Sequence, residues 1–330
     1  MLETFATDVI EDDIMQLERS LLDVLLFDRA SRKNIIWATD DYSSLGDAYQ
    51  KESEILPELI TGEHTFLIQP RAAKTIENQQ SRVRDKAEVF TPSWICNEQN
   101  NLVDDAWFGR QGVFNEEDGT SWKATREPIS FPEKGPRTWK KYVDANRMEI
   151  TCGEAPYLVS RYDATTGEAI PLAERIGLLD RKFRVVSENT TSKADWLKWA
   201  IRAVQSIYGF EFQGDNLLLA RENVFISFLE YYYDRFYELP EKQQINQVAR
   251  IISWNLWQMD GLKFVVPYSC KPEVWIDITL LGNTRYEEPC PGCKGNKNTE
   301  HTGVYCKIMD WRAKRSSRFV DLMKGSAKNE

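Results

Sequence analysis

The feature that most constrains the fold is a regular alternation of strand-like and helix-like segments between Met148 and Leu262. The stretches "MEIT", "YGFEFQ" and "NLWQM" read as strands. Between them, "KADWLKWAIRAVQSI", "DNLLLARENVFISFLEYYYDRF" and "QQINQVARIISW" carry apolar residues at helical spacing. We expect a further helix to begin near Pro156, and Asp215 to cap the long central helix. This order predicts an α/β fold with a parallel sheet.

Chemistry-bearing residues follow each predicted strand. The first strand ends in a turn, Cys152–Ala155, the second ends at Glu211, and the third is followed by Asp260. Ligands of open parallel sheets bind outside the carboxyl ends of the strands, where an acid can accept hydrogen bonds from ribose hydroxyls. Taken singly, each feature is also an ordinary turn or a solvated carboxylate. Their occurrence in this order favours a nucleoside-containing cofactor.

Four segments in this part of the chain resemble a known family. "AEVFTPSWICN", "MEITCGEAPYLV", "IYGFEFQGDNLLLARENV" and "NLWQMDGL" are similar to the successive cofactor motifs of gamma-type adenine-specific DNA methyltransferases of restriction–modification systems. The resemblance implies a Rossmann-like sheet that binds S-adenosylmethionine and methylates the amino group of adenine in double-stranded DNA. It further implies these contacts: Thr91 and Pro92 at the methionine end, Glu149, Cys152 and Gly153 in the first loop, Glu211 at the ribose and Asp260 at the adenine.

Two departures from the family pattern stand out. Ala155 occupies the place of a second loop glycine, which affects how closely the backbone can approach a cofactor. The family's catalytic signature, Asn, Asp or Ser followed by Pro-Pro and an aromatic residue, is absent, because the chain contains no Pro-Pro pair. We therefore expect an incomplete sheet with an exposed apolar edge, and no catalytic residue in this chain. A second polypeptide would carry the catalytic and target-recognition parts, or this chain would be the first piece of an interrupted gene.

The sequence divides into three regions. Residues 1–85 read as an N-terminal helical region, because "DDIMQLERSLLDVLLFDRA" has a helical apolar stripe and helical character extends to about residue 60. Residues 86–281 form the predicted Rossmann-like domain, with an irregular connection at 114–147. Residues 282–330 are rich in cysteine, glycine and basic residues, which predicts a C-terminal Cys-rich hairpin appendage.

Cysteines in the last region suggest a metal site. Cys290 and Cys293 have the two-residue spacing of a zinc knuckle, and His301 and Cys306 follow as further ligands, with Cys270 also available. Zinc would stiffen a glycine-rich segment that has little apolar material of its own. The alternative is a loop with reduced cysteines that bind nothing.

The basic tail is a candidate contact for DNA phosphates. Lys307, Arg312, Lys314, Arg315, Arg318 and Lys324 lie there beside Trp311 and Phe319. The net charge of −9 argues against a generic electrostatic grip on DNA, so any such contact would be local. The alternative is the solvated face of a hairpin.

Composition limits the remaining function classes. Two histidines exclude sites built from several imidazoles, and no Asp…Glu-x-Lys constellation of a nuclease is present. The N-terminus has no basic n-region, and no apolar run reaches the about 18 residues of a membrane span, so we expect no membrane partner and a cytoplasmic location. The competing function is a non-catalytic DNA-binding or assembly subunit that keeps a decayed methyltransferase scaffold.

Overall fold

The computed structural model describes residues 10–74, 91–279 and 282–326, without the side chains of 278–279, 282–283 and 323–326. The described residues form a mixed α/β structure with ten α-helices and several small sheets. The helices are α1 Glu11–Leu17, α2 Leu21–Leu26, α3 Ser93–Phe108, α4 Trp139–Asp144, α5 Leu178–Asn189, α6 Lys193–Gln205, α7 Gly214–Phe236, α8 Lys242–Asn255, α9 Pro291–Gly295 and α10 Phe319–Ser326. The strands are β1 Asn115–Asp118, β2 Ser121–Ala124, β3 Arg147–Ile150, β4 Ile207–Glu211, β5 Leu256–Gln258, β6 Glu273–Thr279, β7 Gly282–Glu288, β8 Lys307–Asp310 and β9 Arg315–Arg318.

The parallel sheet predicted from the alternation is present and has three strands in the order β3-β4-β5. Glu149 of β3 pairs with Gly209 of β4, which in turn pairs with Leu256 of β5. A Cβ atom at Gly209 would lie 2.8 Å from the Leu256 side chain and 3.3 Å from Cys152 Sγ. Glycine at this position therefore allows the two flanking strands to pack closely against β4.

The long helix α7 lies at the centre of the molecule. Eighteen of its 23 residues are buried, which fits a helix that is apolar around most of its circumference. Its buried Arg221 donates hydrogen bonds to the carbonyl oxygens of Leu256, Leu25 and Phe27, so this cation has acceptors from α2 and β5. Within the described residues, no helix combines the length and apolarity that crossing a membrane requires.

The two faces of the sheet are covered differently. The larger apolar core packs helices α5 to α8 together with α2. A second cluster joins Tyr208, Phe210 and Trp257 of the sheet to Cys306 and Phe319. The region predicted as an appendage thus contributes part of the core on one face of the sheet. This packing explains why apolar residues occur in an otherwise polar C-terminal segment.

Four local predictions were wrong. In residues 10–74 only α1 and α2 are α-helical, and the rest consists of turns and short 3-10 segments. The turn at Pro156 does not start a helix, because the first helix after β3 is α5. The stretch 114–147 is partly ordered as the β1–β2 hairpin and α4. Helix α7 begins at Gly214, so Asp215 lies in its first turn and not at the cap.

Two antiparallel hairpins complete the C-terminal region, β6–β7 and β8–β9. The first is long and solvent-exposed, with Trp275 stacked on Tyr286 at a centroid distance of 5.7 Å. Both side chains are 45% exposed. The predicted hairpin character of this region is therefore confirmed.

Candidate functional site

A cavity of about 770 Å³ opens where β3 and β4 end. This volume lies within the range of sites that bind small molecules and cofactors. Five of the seven predicted cofactor residues line it: Thr91, Glu149, Cys152, Gly153 and Glu211. The sheet topology explains why the residues at the ends of β3 and β4 meet, because the carboxyl ends of parallel strands lie at the same edge, while Thr91 comes from the segment before α3.

The turn after β3 has an unusual backbone. Thr151, Gly153 and Ala155 all have positive φ angles, of 48°, 51° and 65°. Ala155 is fully buried in the core and does not line the cavity, so its methyl group does not occupy the space of a ligand. The left-handed backbone usual for glycine is adopted here by alanine, with a moderate conformational cost.

Glu211 connects this turn to the end of β4. Its carboxylate accepts hydrogen bonds from the backbone N–H of Gly153 at 2.9 Å and of Gln213 at 3.2 Å. Burial raises the pKa of Glu211, although these backbone hydrogen bonds oppose that effect. A carboxylate has about four acceptor positions, so two such bonds fix its orientation and leave capacity for a ligand.

Glu149 is a second buried carboxyl group at the cavity. It accepts hydrogen bonds from the backbone N–H of Tyr157 and of Leu158 at 3.3 and 3.1 Å. Burial raises the pKa of Glu149 to about 8, and the nearby charge of Glu211 adds to this effect. Glu149 is consequently protonated at neutral pH in the ligand-free protein.

This raised pKa predicts a pH-dependent stability. The unfolded chain releases the Glu149 proton near pH 4.5 and the folded protein holds it up to about pH 8, so the free energy of unfolding falls as pH rises between these values. In Glu149→Gln the free energy of unfolding should fall less with rising pH than in the parent protein, by on the order of 1 to 3 kcal/mol. Urea unfolding of both proteins at pH 5 and pH 8 measures it.

Glu98 provides the matched control, since it is exposed on the neighbouring helix α3. Glu98→Gln should leave the pH dependence of unfolding as it is in the parent protein. If Glu149→Gln also keeps the full fall between pH 5 and pH 8, the buried, protonated state of Glu149 is wrong.

Helix α3 brings Thr91 to the cavity and is held there by buried polar contacts. Asp163 accepts a hydrogen bond from the backbone N–H of Ser93 at 2.7 Å. Partial burial raises the pKa of Asp163, but hydrogen bonds from Thr165, Ser93 and Thr166 outweigh burial and lower the pKa to about 2. Farther along α3, Asn100 donates to the carbonyl oxygens of Tyr157 and Ile176.

A buried ion pair joins α3 to α5. Arg181 donates to Asp104 at 2.7 Å, and the exposed fractions of the two side chains are 1% and 2%. Arg181 also donates to the side-chain oxygens of Asn97 and Asn101, and Tyr142 donates to Asp104 at 3.0 Å. No sequence pattern indicated this network, because Asp104 and Arg181 are 77 residues apart in the chain.

Two predicted cofactor residues do not line the cavity. Pro92 occupies the N-cap position of α3, where its carbonyl oxygen accepts from the N–H groups of the first turn. The Asp260 carboxylate accepts from the backbone N–H of Leu262 and Lys263 and pairs with the Lys263 ammonium at 3.0 Å. Asp260 thus caps a local turn, which is the ordinary alternative for an Asp-Gly pair. Residues Ala87–Phe90 of the first motif lie outside the described residues.

Sequence reasoning missed an aromatic part of the cavity wall. Phe212, directly after Glu211, contacts Tyr268 edge-to-face at a centroid distance of 5.9 Å, and both line the cavity. The position of Phe212 next to a strand-end acid was a usable signal. No sequence signal indicated Tyr268, since it lies in a loop whose path depends on the C-terminal region.

A cluster of four metal-ligand side chains lies near the cavity, formed by Cys270, Cys290, Cys293 and His301. We call it the cysteine–histidine cluster. Each sulfur is 3.6 Å from His301 Nδ1, and all four ligand atoms lie within 4.8 Å of one another. Ligands of a tetrahedral zinc ion, at about 2.3 Å for sulfur and about 2.0 Å for nitrogen, would lie about 3.5 Å apart. The group can therefore hold a metal such as zinc.

Electrostatics and glycine positions fit this arrangement. Burial and the neighbouring thiols of Cys293 and Cys290 raise the pKa of Cys270 to about 12, as expected where sulfurs crowd together without a cation. Burial also opposes ionisation of Cys290, but hydrogen bonds from Thr302 and other neighbours outweigh it and lower its pKa to about 5. A Cβ atom at Gly292 would lie 2.6 Å from His301 Nδ1, so the Cys-Pro-Gly-Cys turn requires glycine there.

Cys306, one of the predicted ligands, is not part of this cluster. It is fully buried in the second apolar cluster, where its thiol donates to the Gln258 carbonyl oxygen at 3.2 Å. Cys270 takes the fourth position instead. Cys306 lies outside the cluster because it begins the segment that packs on the sheet, and its side chain is directed into that core.

The basic tail offers a smaller surface for phosphates than its composition predicts. Arg312 pairs with Asp144 and Arg318 pairs with Asp321. Trp311 donates to the Asn255 side chain at 2.7 Å, and Phe319 is buried, so neither aromatic ring is placed to stack on a base. Lys314 and Arg315 remain exposed, and the side chain of Lys324 lies outside the described part of the structure.

Comparisons of the chain with models of protein families, with curated proteins and with solved structures return no match.

Proposed function

We propose that the chain is the S-adenosylmethionine-binding portion of an adenine-specific DNA methyltransferase of a restriction–modification system, built on a Rossmann-like sheet. One observation carries the proposal: two buried carboxyl groups, Glu149 and Glu211, meet at the carboxyl ends of adjacent parallel strands and line one cavity. Together with Thr91, they stand in the chain order of the methyltransferase cofactor motifs.

The charge of the cavity supports this cofactor over other nucleosides. Among the described residues that line it, two are acidic and none is lysine or arginine. Such a surface offers no cation to a phosphate group, while its carboxyl groups can accept hydrogen bonds from hydroxyl groups. S-adenosylmethionine carries a sulfonium, an ammonium group and a ribose diol, but no phosphate. Dinucleotides and nucleoside triphosphates carry at least two phosphates.

The orientation of Glu211 supports its place at the ribose. Its backbone hydrogen bonds to Gly153 and Gln213 hold the carboxylate at the end of β4, beside the aromatic ring of Phe212. A carboxylate in this position can accept both hydroxyl hydrogens of a ribose. The burial of Ala155 in the core supports the proposal too, because this departure from the family pattern does not narrow the cavity.

The free edge of the sheet supports a partner. Among the described residues only β4 pairs with β3, and Met148 and Ile150 of β3 are 41% and 67% exposed. Val103 of α3, 40% exposed, lines the cavity together with Met148 and Ile150. We assign this edge to a second polypeptide that adds a parallel strand to β3. A motif following that strand would then lie beside the cavity, where the methyl group is to be transferred to an extruded adenine.

Calorimetry tests the cofactor. We expect S-adenosylmethionine to bind the chain with a micromolar dissociation constant, about −8 kcal/mol, while NAD and ATP bind too weakly to measure. The physical reason is that the described cavity lining contains no lysine or arginine to neutralise the charge of a phosphate. No methyl transfer to DNA is expected from the chain alone, and addition of a polypeptide carrying the Asn-Pro-Pro-aromatic motif should supply it. Tighter binding of ATP or NAD than of S-adenosylmethionine would refute the proposal.

For the cysteine–histidine cluster we propose zinc. Three thiolates and one imidazole form a closed four-ligand set typical of structural zinc sites. Protein purified without a chelator should contain one zinc ion per chain, because four preformed ligands bind zinc tightly at neutral pH. Inductively coupled plasma mass spectrometry measures the metal. Cys290→Ser should abolish the zinc content and Cys306→Ala should not, so equal loss in both variants would contradict the assignment.

A further inference from the structure

The cysteine–histidine cluster is joined to the cavity by a very short path. Tyr268 lines the cavity, and Cys270, two residues later, supplies one sulfur of the cluster. The other three ligands come from the C-terminal region: Cys290 at the N-cap of α9, Cys293 within it, and His301 in the loop that follows. A metal ion in the cluster would therefore link the cavity-wall loop to a segment distant in sequence.

Hydrogen bonds made by residues on either side of Tyr268 hold this loop against the C-terminal region. Val266 N–H donates to the Val304 carbonyl at 2.9 Å, and Val304 N–H donates to Ser269 Oγ at 3.0 Å. Beyond the cluster, Thr302 donates to the Lys271 carbonyl at 2.6 Å. These contacts bracket Tyr268 on both sides.

Tyr268 itself has a backbone conformation that needs external support. Its φ angle is 56°, in the left-handed region that aromatic residues rarely adopt. Such conformations persist where surrounding structure over-determines them, and they concentrate at ligand sites. The ring is 45% exposed and its packing partner in the wall is Phe212. Apolar packing alone therefore provides modest support for this position.

We propose that metal bound in the cysteine–histidine cluster positions Tyr268 in the cavity wall, so that ligand binding in the cavity depends on metal occupancy. Without the metal, Cys270 is connected to Cys290, Cys293 and His301 by no bond stronger than a thiol hydrogen bond, and the loop loses a fixed point two residues from Tyr268. Binding linkage is reciprocal, so a cavity ligand also raises the affinity for the metal. The identity of the cavity ligand rests on the proposed function.

The test compares the full chain in three states: zinc-loaded, stripped with a chelator, and reloaded with zinc. Hydrogen exchange of residues 264–271 and calorimetry with S-adenosylmethionine are the two measurements. Stripping should raise exchange in this loop and weaken cofactor affinity by about tenfold, within the usual range of coupled sites, and reloading should restore both. Tyr268→Ala should weaken the affinity of the zinc-loaded protein to a similar extent while its zinc content stays at one per chain.

Variants inside and outside the cysteine–histidine cluster separate the effect of zinc from a general disturbance of the fold. Cys270→Ser should reproduce the stripped state, and Cys306→Ala, outside the cluster, should keep the zinc and the protected loop. Should Cys270→Ser fail to fold, the stripped parent protein and Tyr268→Ala carry the same comparison. Equal cofactor affinity in the loaded and stripped states overturns the inference and leaves the proposed function standing. If loop exchange responds to zinc but no state binds the cofactor, the proposed function is wrong and the positioning of the wall by metal stands. Unchanged exchange on stripping overturns the inference.

Discussion

Replacing Glu211 by alanine is expected to weaken the binding of S-adenosylmethionine by about 100-fold. Two hydrogen bonds from the ribose to a buried carboxylate would be lost, and charge-assisted bonds contribute about 1.5 kcal/mol or more each. A loss of about 3 kcal/mol corresponds to roughly two orders of magnitude in affinity. The change also leaves the backbone N–H of Gly153 and of Gln213 without this acceptor. Isothermal titration calorimetry of the variant and the parent protein measures the effect.

Two further variants distinguish a ribose contact from a general disturbance. Glu238 is an exposed carboxylate paired with Lys193, so Glu238→Ala should leave the affinity unchanged. From the sequence, Glu211→Ala and Asp260→Ala are each expected to weaken binding. Because the Asp260 carboxylate caps its own turn, we expect Asp260→Ala to weaken binding less than Glu211→Ala. A larger loss for Asp260→Ala would contradict the assignment of Glu211 to the ribose.

Asp104→Ala is expected to cause the largest loss of stability, about 3 to 5 kcal/mol, because it leaves the buried Arg181 guanidinium without a counter-ion. Asn97 and Asn101 would still accept hydrogen bonds from Arg181 but carry no charge. Tyr142 would lose its acceptor as well. Equilibrium unfolding in urea, followed by circular dichroism, gives the difference in the free energy of unfolding.

The same pair links stability to the site. Thr91 lies just before the N-cap of α3 and Asn100 lies within this helix, and both line the cavity, so loosening α3 from α5 should also weaken cofactor binding. Asp104→Asn retains an acceptor of the same shape and should lose less stability than Asp104→Ala. Breaking the exposed Lys193–Glu238 pair with Glu238→Ala should produce no measurable change, since solvent screens exposed ion pairs. A similar loss in the exposed and the buried pair would show that burial of Arg181 is not what makes Asp104 necessary.

The strands β3, β4 and β5 and the helices α6, α7 and α8 could be predicted because their apolar residues follow one period at a time, whereas α5 was not predicted and the helix expected near Pro156 is absent. Helix α6 and helix α8 have an apolar face of helical spacing, and β4 is a short apolar run between two helices. The same reasoning wrongly predicted a mainly helical N-terminal region. The apolar stripe that continues from α1 into α2 stops at Leu26, and the residues after it fold as turns because their contacts are long-range.

Some residues of the candidate site could likewise be predicted from the sequence, and others could not. Glu211 could be found because a strand-end position is a local property, and Glu149 because the family resemblance implies it; parallel topology then brings the two strand ends together. Asp260 also follows a strand, yet its carboxylate satisfies the adjacent backbone N–H groups instead of facing the cavity. Local position was therefore necessary but not sufficient for a side chain to reach the cavity.

By itself the sequence determined the alternation of β3, β4 and β5 with α6, α7 and α8, the acid at the end of β4 and the Cys290–Cys293 pair, since each depends on neighbouring residues. Only the tertiary structure decided that Cys270 and not Cys306 completes the cysteine–histidine cluster, that Arg181 pairs with Asp104, and that Tyr268 is part of the cavity wall. These contacts join segments far apart in the chain. Their selection follows from how the helices and loops pack around the sheet, which residue spacing does not encode.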